Sequence, residues 1–343
     1  MKIRFQKMSS ALTFAALTSA PTAATAGTLE DVIARGHLEC GVSTGSTPGF
    51  TFLEEDNSWS GLDVDTCRMV AAAVFGDASK VEFAPLESKE RFTALQSGDI
   101  DMLSRVTTWT LSRDTELAFD FAAVNYYDGQ GFLVRADLGI KEAKELDGAS
   151  ICTTTGTTSE LNITDFFTAN DISFRPVVFE KGSEVRAAFF SGRCDAFSSD
   201  ASWIAALRLQ AENPDDFMML PDIISKEPLG PLVRHGDDQW NDVVTWAFYA
   251  AVEGEELGLT SENIDAKLDG TTNPSLLRFA GMEGENGAKL GLPADYAYRV
   301  IKSVGNYGEV FDRTVGKDSI LNLDRGLNRL WTDGGLQYAP PAR

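Results

Sequence analysis

The chain of 343 residues is poor in histidine, with only His37 and His235, and poor in cysteine, with four residues and no CxxC pair. A tetrahedral zinc centre therefore lacks its ligand set. No P-loop, GxGxxG or HExxH string occurs, so nucleotide and metalloprotease chemistry have no footing and no cofactor is implied. No uninterrupted apolar run approaches about 18 residues, so no segment reads as a membrane span. Basic residues are outnumbered: 30 Lys and Arg stand against 51 Asp and Glu, and the formal net charge of −21 repels nucleic acid and anionic membrane surfaces. Low-complexity tracts and solenoid periods are also missing.

At the N-terminus Lys2, Arg4 and Lys7 precede a modestly apolar stretch, 8–20, and Ala24-Thr25-Ala26 fits a small-x-small cleavage site. This pattern predicts a secretory signal peptide over 1–26 and a protein that works outside the cytoplasm. The first cysteine is Cys40, so no lipid-anchor cysteine stands at the cleavage site. The remaining 317 residues, 343 minus 26, suffice for two lobes with their own cores. In an exported chain Cys40, Cys67, Cys152 and Cys194 predict two disulfides. Three connectivities are possible; pairing in sequence order, Cys40 with Cys67 and Cys152 with Cys194, closes one loop within each half and lets each half fold as a unit.

Residues 38–43, 81–85 and 100–103 read as strands, and 63–75 and 88–96 as helices between them. The helix 63–75 carries Val64, Met69, Val70, Ala73 and Val74 at helical spacing. This βαβαβ run predicts a largely parallel doubly wound sheet. The same grammar restarts after residue 148, with strands 150–153, 173–179 and 194–198 and helices 158–170, 182–191 and 201–211. A short strand, 131–135, and a return strand, 228–234, predict that the chain crosses between the two units twice, which makes a hinge. Helices follow over 240–254, 260–268, 295–304 and 323–331.

Polar clusters fall at four carboxyl-terminal strand ends, where open α/β sheets bind ligands. They lie at 45–52, 105–113, 153–159 and 198–200. The densest signal is 97–121, SGDIDMLSRVTTWTLSRDTELAFDF, in which Thr107, Thr108, Thr110 and Ser112 precede Arg113. Arg113 offers a planar fork of donors that matches a carboxylate; its competing role is a solvated pair with Asp114 or Glu116. Thr157 and Thr158 at a helix start present N–H groups to an anion, or simply cap the helix. Asp200 opens the helix that carries Trp203, either as its cap or as an acceptor for an ammonium group. An Arg and an Asp from different lobes suit a zwitterion, of which the free α-amino acid is the commonest. Phe50, Phe52, Trp109, Tyr126 and Tyr127 are candidate apolar walls. A literal GxSxG at Gly41-Val42-Ser43-Thr44-Gly45 is followed by a long loop through Pro48 instead of a helix, and neither histidine is placed to serve it.

The ordered strings LECGVSTGSTPGF, GLDVDTCR, LQSGDIDMLSRVTTWTLSRD, TTTGTTSELN, SGRCDAFSSD and GLNRLWTDGGLQYAPP resemble the periplasmic amino-acid-binding proteins of ABC importers, in particular the general L-amino-acid-binding branch. The resemblance spans nearly all of 27–343. It implies two doubly wound α/β lobes joined by a two-strand hinge, the type II periplasmic binding fold, with extra C-terminal helices. Lobe 1 would comprise 27–130 and 231–343, and lobe 2 would comprise 131–230. It makes Arg113 the partner of a ligand carboxylate, assisted by Thr108 and the backbone near Val106, with Thr158 holding the same carboxylate from the other lobe beside Thr157. Asp200 would bind the α-ammonium, and Phe50 would cover the ligand, with Phe52 as the neighbouring alternative. Arg105 disfavours a pocket tuned only to cationic side chains and suits Glu, Gln, Asp and Asn within a broad range of L-amino acids, since a wet pocket accepts many other side chains. The implied partners are a free L-amino acid and the membrane permease, with the protein monomeric, periplasmic, without cofactor and without covalent chemistry. Two other readings stay open: an exported enzyme of the cyclohexadienyl-dehydratase kind, using Glu160 or Asp128 as its acid, and a ligand-sensing or chaperone-like partner protein.

Overall fold

The computed structural model describes residues 27–343, so the expected signal peptide over 1–26 lies outside the described residues. Two α/β lobes face each other. The first holds a five-stranded sheet in the order Val81–Pro85, Leu38–Val42, Met102–Leu103, Leu232–Arg234, Phe119–Phe121. The first three strands are parallel, and Leu232–Arg234 is antiparallel to both its neighbours. Its core is built on the helices Leu62–Phe75 and Asp238–Glu256, whose Cys67, Val70, Trp240, Val244 and Phe248 are buried with Val300, Ile301 and Phe311 from the C-terminal helices Tyr296–Val304 and Tyr307–Thr314. The Trp240 Nε1–H donates to the Asp101 carbonyl at 2.9 Å, which satisfies the one polar atom of that buried ring.

In the second lobe Phe174–Phe179, Ala149–Thr154 and Ala196–Asp200 run parallel, and the ten-residue strand Tyr126–Arg135 lies antiparallel beside the last of them. Both faces of this sheet are covered. Phe132, Val134, Ile151, Ile163 and Phe167 form one core, and Leu133, Cys152, Phe189, Phe197 and Ile204 the other. Near-continuous burial along Phe132, Leu133 and Val134 is what a strand covered on both faces requires. The disulfides join Cys40 to Cys67 and Cys152 to Cys194, one per lobe, each pinning a sheet strand to a neighbouring segment of its own lobe.

The chain crosses between lobes at 122–126 and at 229–232. The expected boundary at 130/131 falls inside the Tyr126–Arg135 strand, because the expected short strand 131–135 extends back through Gly129 and Gln130, which are paired strand residues. The expected single return strand 228–234 is two strands in different sheets, Ser225–Leu229 in lobe 2 and Leu232–Arg234 in lobe 1. Between them sits Gly230, where a Cβ would fall 1.9 Å from the Ala123 carbonyl oxygen. Only glycine lets the two crossovers touch, and they are laced by Asn125 N–H to Leu229 O at 2.9 Å and Ala122 N–H to Pro231 O at 3.0 Å.

Two further local expectations differ. The loop after the first strand contains a small antiparallel sheet of Ser46–Thr47, Thr51–Leu53 and Trp59–Ser60, whose short strands are masked by glycine and proline in the sequence. The expected helix over 323–331 is replaced by two 3-10 turns, Gly326–Asn328 and Trp331–Asp333. Gly326 adopts φ +48, a left-handed conformation that no right-handed helix continues through.

Candidate functional site

The cleft between the lobes closes into a cavity of about 60 Å³ at the carboxyl ends of both sheets. Lobe 1 contributes Arg91, Arg105, Val106, Thr108 and Arg113, and lobe 2 contributes Thr154, Thr157, Thr158, Asp200 and Trp203. The lobes touch across it: Lys89 Nζ meets a Glu180 carboxylate oxygen at 2.8 Å, and the hydroxyls of Thr108 and Thr158 are 3.3 Å apart.

The lobe 1 wall is held from beneath by Asp63, in the first turn of the Leu62–Phe75 helix. Its carboxylate accepts from the Val106 N–H at 2.9 Å and the Ser104 hydroxyl at 3.1 Å. Val106 has φ +41, an unusual conformation for a β-branched residue, and the Asp63 contact holds the loop in it. The Val106 N–H is thereby spent on Asp63, so that amide is not the part of the backbone near Val106 that is open to a ligand. Burial pushes the Asp63 carboxyl up to about 6 despite these hydrogen bonds.

Arg113 turns inward. It is buried, donates from Nη1 to the Thr108 carbonyl at 2.7 Å and lies 5.2 Å over the Phe92 ring. Among the described residues it has no carboxylate within ion-pair distance, and Asp114 is engaged instead by Trp109 Nε1 at 2.8 Å. Burial lowers the Arg113 guanidinium to about 10, against the attraction of Glu227 and Asp200. Its donor fork thus lines the cavity without a carboxylate partner.

Asp200 stands where a cap would stand but caps nothing. Its Oδ1 is buried and has no hydrogen-bond partner. Burial first, then the nearby Asp128 and Glu227 charges, hold its carboxyl well above the usual carboxylate range. Such a buried acceptor facing a cavity fits a cationic donor. Thr157 plays its capping role: its hydroxyl accepts from Glu160 N–H at 3.3 Å and donates to the Thr154 carbonyl at 2.6 Å. Thr158, the first residue of the Thr158–Ala169 helix, keeps its backbone N–H for the cavity.

Glu227 escaped the reading of the sequence. It is fully buried on the Ser225–Leu229 strand and collects hydrogen bonds from both lobes: Thr108 Oγ1 at 2.6 Å, Thr158 Oγ1 at 2.9 Å, Asn162 Nδ2 at 2.7 Å and Ser225 Oγ at 2.5 Å. Because each hydroxyl has one hydrogen, Thr108 and Thr158 offer a bound anion their backbone amides and not their hydroxyl protons. Arg91 also escaped, since SKERF reads as a solvated helix start. It is buried, reaches the Thr107 hydroxyl at 3.2 Å and leaves Nε unpartnered. Burial and the charges of Arg113 and Arg105 depress its guanidinium. Arg105 is fastened to the Leu86 carbonyl at 2.9 Å and the Ser88 hydroxyl at 3.1 Å.

Phe50 does not line the cavity. It is 1 % exposed and packs edge-on against Tyr126 at 5.1 Å in the lobe 1 core, because Gly49 and Gly61 turn the small sheet inward above the Leu62–Phe75 helix. The aromatic that does line it is Trp203. Ser43 of the GxSxG string lies 3.4 Å from the Thr47 hydroxyl, whereas His37 and His235 sit beside Glu39 and Asp120. Asp128 is engaged by Ser202 and by the Gly129 N–H, and Glu160 by the Gly156 N–H at 3.1 Å, so neither acid expected of an enzyme lines the cavity.

Two α/β lobes on a double crossover, closing an Arg and an Asp over one small cavity, define a two-lobed solute-binding protein of the type II class. Residues 38–263 match the bacterial extracellular solute-binding proteins, family 3, and the chain belongs to that family. It is 53 % identical over 338 residues, 98 % of each chain, to the general L-amino acid-binding periplasmic protein AapJ of Rhizobium johnstonii. It is 52 % identical to the glutamate/glutamine/aspartate/asparagine-binding protein BztA of Rhodobacter capsulatus, over 94 % of this chain and 95 % of that one. Among solved structures, an ABC transporter periplasmic binding protein from Brucella ovis with glutathione bound superposes with a TM-score of 0.90 at 52 % identity, over 93 % of this chain and all of the other. The protein is periplasmic, as AapJ and the Brucella ovis protein are.

Proposed function

We propose that this protein is the substrate-binding component of an ABC importer, and that it captures L-amino acids whose side chains end in a carboxylate or amide and hands them to the membrane permease. The observation that carries this reading is the pairing, across one cavity, of an inward Arg113 without an anion and a buried Asp200 Oδ1 without a donor. The α-carboxylate lies on Arg113 and the backbone amides of Thr108 and Thr158, and the α-ammonium on Asp200. Arg91 and Arg105 add two more guanidinium groups to the lining, whose mutual repulsion a second ligand oxygen relieves. That favours Glu, Asp, Gln and Asn, and extends to a γ-glutamyl headgroup such as that of glutathione, which carries the same α-amino and α-carboxylate groups. A ligand that bridges lobe 1 and lobe 2 binds the closed form better than the open one, and this difference drives closure. Binding is the whole of the chemistry, and the protein works as a monomer whose negative charge keeps it off nucleic acid.

The test is thermal unfolding and titration calorimetry of the mature protein, stripped of ligand, against L- and D-amino acids, glutathione and sugars. L-Glu, L-Gln, L-Asp and L-Asn raise the melting temperature by mass action, while D-isomers and sugars do not. Arg113→Ala keeps the fold and loses several kcal/mol of affinity, on the order of a buried carboxylate deprived of its charged partner. Silence across the panel, or an Arg113→Ala variant that binds as tightly as the parent, refutes the reading.

A further inference from the structure

The C-terminal segment beyond the residues matched to the family is fastened at two points to the first crossover and at a third to Tyr127, the residue just after it. Tyr307 donates from its hydroxyl to the Asn125 carbonyl at 2.9 Å. Asn328 grips the backbone of Tyr127 from both sides, accepting from its N–H at 2.7 Å and donating to its carbonyl at 3.1 Å. Gln337 Nε2 donates to the Val124 carbonyl at 3.1 Å. These are buried side chains spent on the backbone of a hinge.

The segment itself is anchored in lobe 1. Arg325 pairs with Glu255 of the Asp238–Glu256 helix, lies 5.3 Å over both the Tyr307 and Phe311 rings, and holds the Asn328 carbonyl at 2.9 Å. Tyr127, in contrast, belongs to the Tyr126–Arg135 strand and pairs with Pro228 in the lobe 2 sheet. Asn328 therefore ties lobe 1 to the base of lobe 2. The ties are present while the cleft is shut, with Lys89 on Glu180 and Arg91 Nη2 at 3.5 Å from the Gly156 carbonyl. Rotating the lobes apart swings the Tyr126–Arg135 strand relative to lobe 1, and the two-point grip on Tyr127 cannot follow both.

We infer that the C-terminal segment is a hinge clasp that stabilises the closed form, with Asn328 and Tyr307 as positioning residues that set ligand affinity and residence without touching ligand. A clasp acts on the closure equilibrium alone, so it changes the affinity for every ligand by one factor, whereas a cavity residue changes ligands unequally.

The inference rests on the binding function proposed above for its affinity readout, and on small-angle scattering of the ligand-free protein for a readout that needs no ligand. Asn328→Ala and Tyr307→Phe are compared with the parent, the second variant keeping the ring and losing one hydroxyl. With hydrogen bonds of ordinary worth, Asn328→Ala weakens L-Glu, L-Gln, L-Asp and L-Asn alike by about 5- to 30-fold, and Tyr307→Phe by about 2- to 10-fold, mostly as faster release. The ligand-free variants shift to a larger radius of gyration. A common factor across ligands supports the clasp; affinities and scattering both unchanged, or losses that differ between ligands, overturn it. If the parent binds none of the four, the proposed function fails and the scattering alone decides the clasp: expansion supports it, an unchanged radius overturns it.

Discussion

Replacing Asp200 by Asn separates a binding residue from a structural one, because the two roles move affinity and stability in opposite directions. The carboxyl is buried, its Oδ1 has no partner, and burial together with Asp128 and Glu227 holds it well above the usual carboxylate range. The empty folded protein thus holds a proton there more tightly than the unfolded chain does. The stability this contributes is complete below the ordinary carboxylate range and is lost as pH rises toward the raised value, so at neutral pH the group is a cost. Asn has nearly the same shape and no charge, and should stabilise the empty protein by about 1–3 kcal/mol, the scale on which neutral groups replace buried charges. The melting temperature then rises by a few degrees, at about 2–4 °C per kcal/mol for a chain of this size. Binding suffers, because a buried ammonium loses its charged acceptor. The loss should be about 2–5 kcal/mol, roughly 30- to 5,000-fold in affinity for L-Glu by titration calorimetry. Glutarate, which lacks the ammonium, should bind the variant no worse than the parent. An affinity within about threefold of the parent, or a lower melting temperature for the empty protein, would show that Asp200 is structural.

Two further outcomes are expected. Arg91→Gln should weaken L-Glu and L-Asp about tenfold more than L-Gln and L-Asn, because a charged hydrogen bond is worth more than a neutral one; equal losses in calorimetry would remove Arg91 from side-chain recognition. Asp63, raised to about 6 from 3.8, contributes stability that is complete below about pH 4, and up to about 3 kcal/mol of it is lost as pH climbs through 6. Asp63→Asn should flatten the dependence of the urea midpoint between pH 4 and 7, and an unchanged slope would contradict the assignment.

Local spacing carried the strand and helix order, since the side-chain periods of 2 and 3.6 are read within a few neighbouring residues. The placing of Arg113 and Asp200 at strand ends that meet at one cavity was legible for the same reason: hydroxyls, Arg and Asp outside apolar strands are a local signal. Residues with ordinary local contexts were not. Arg91 in SKERF and Glu227 in SKEPLG look like solvated charges, and only packing shows them buried. Phe50 stood among the aromatic candidates and Trp203 did not, yet the inward turn of the small sheet puts the first in the core and the second lines the cavity. The ties that matter most to the site and hinge span 119 residues from Thr108 to Glu227 and 201 from Tyr127 to Asn328. The sequence by itself determined the elements, the export signal pattern and the polar chemistry at the strand ends, because those depend on near neighbours. Which charges are desolvated, which hydroxyl protons are already spent, and what holds the crossover were decided by tertiary structure, because burial and hydrogen-bond partnership are properties of residues brought together from distant parts of the chain.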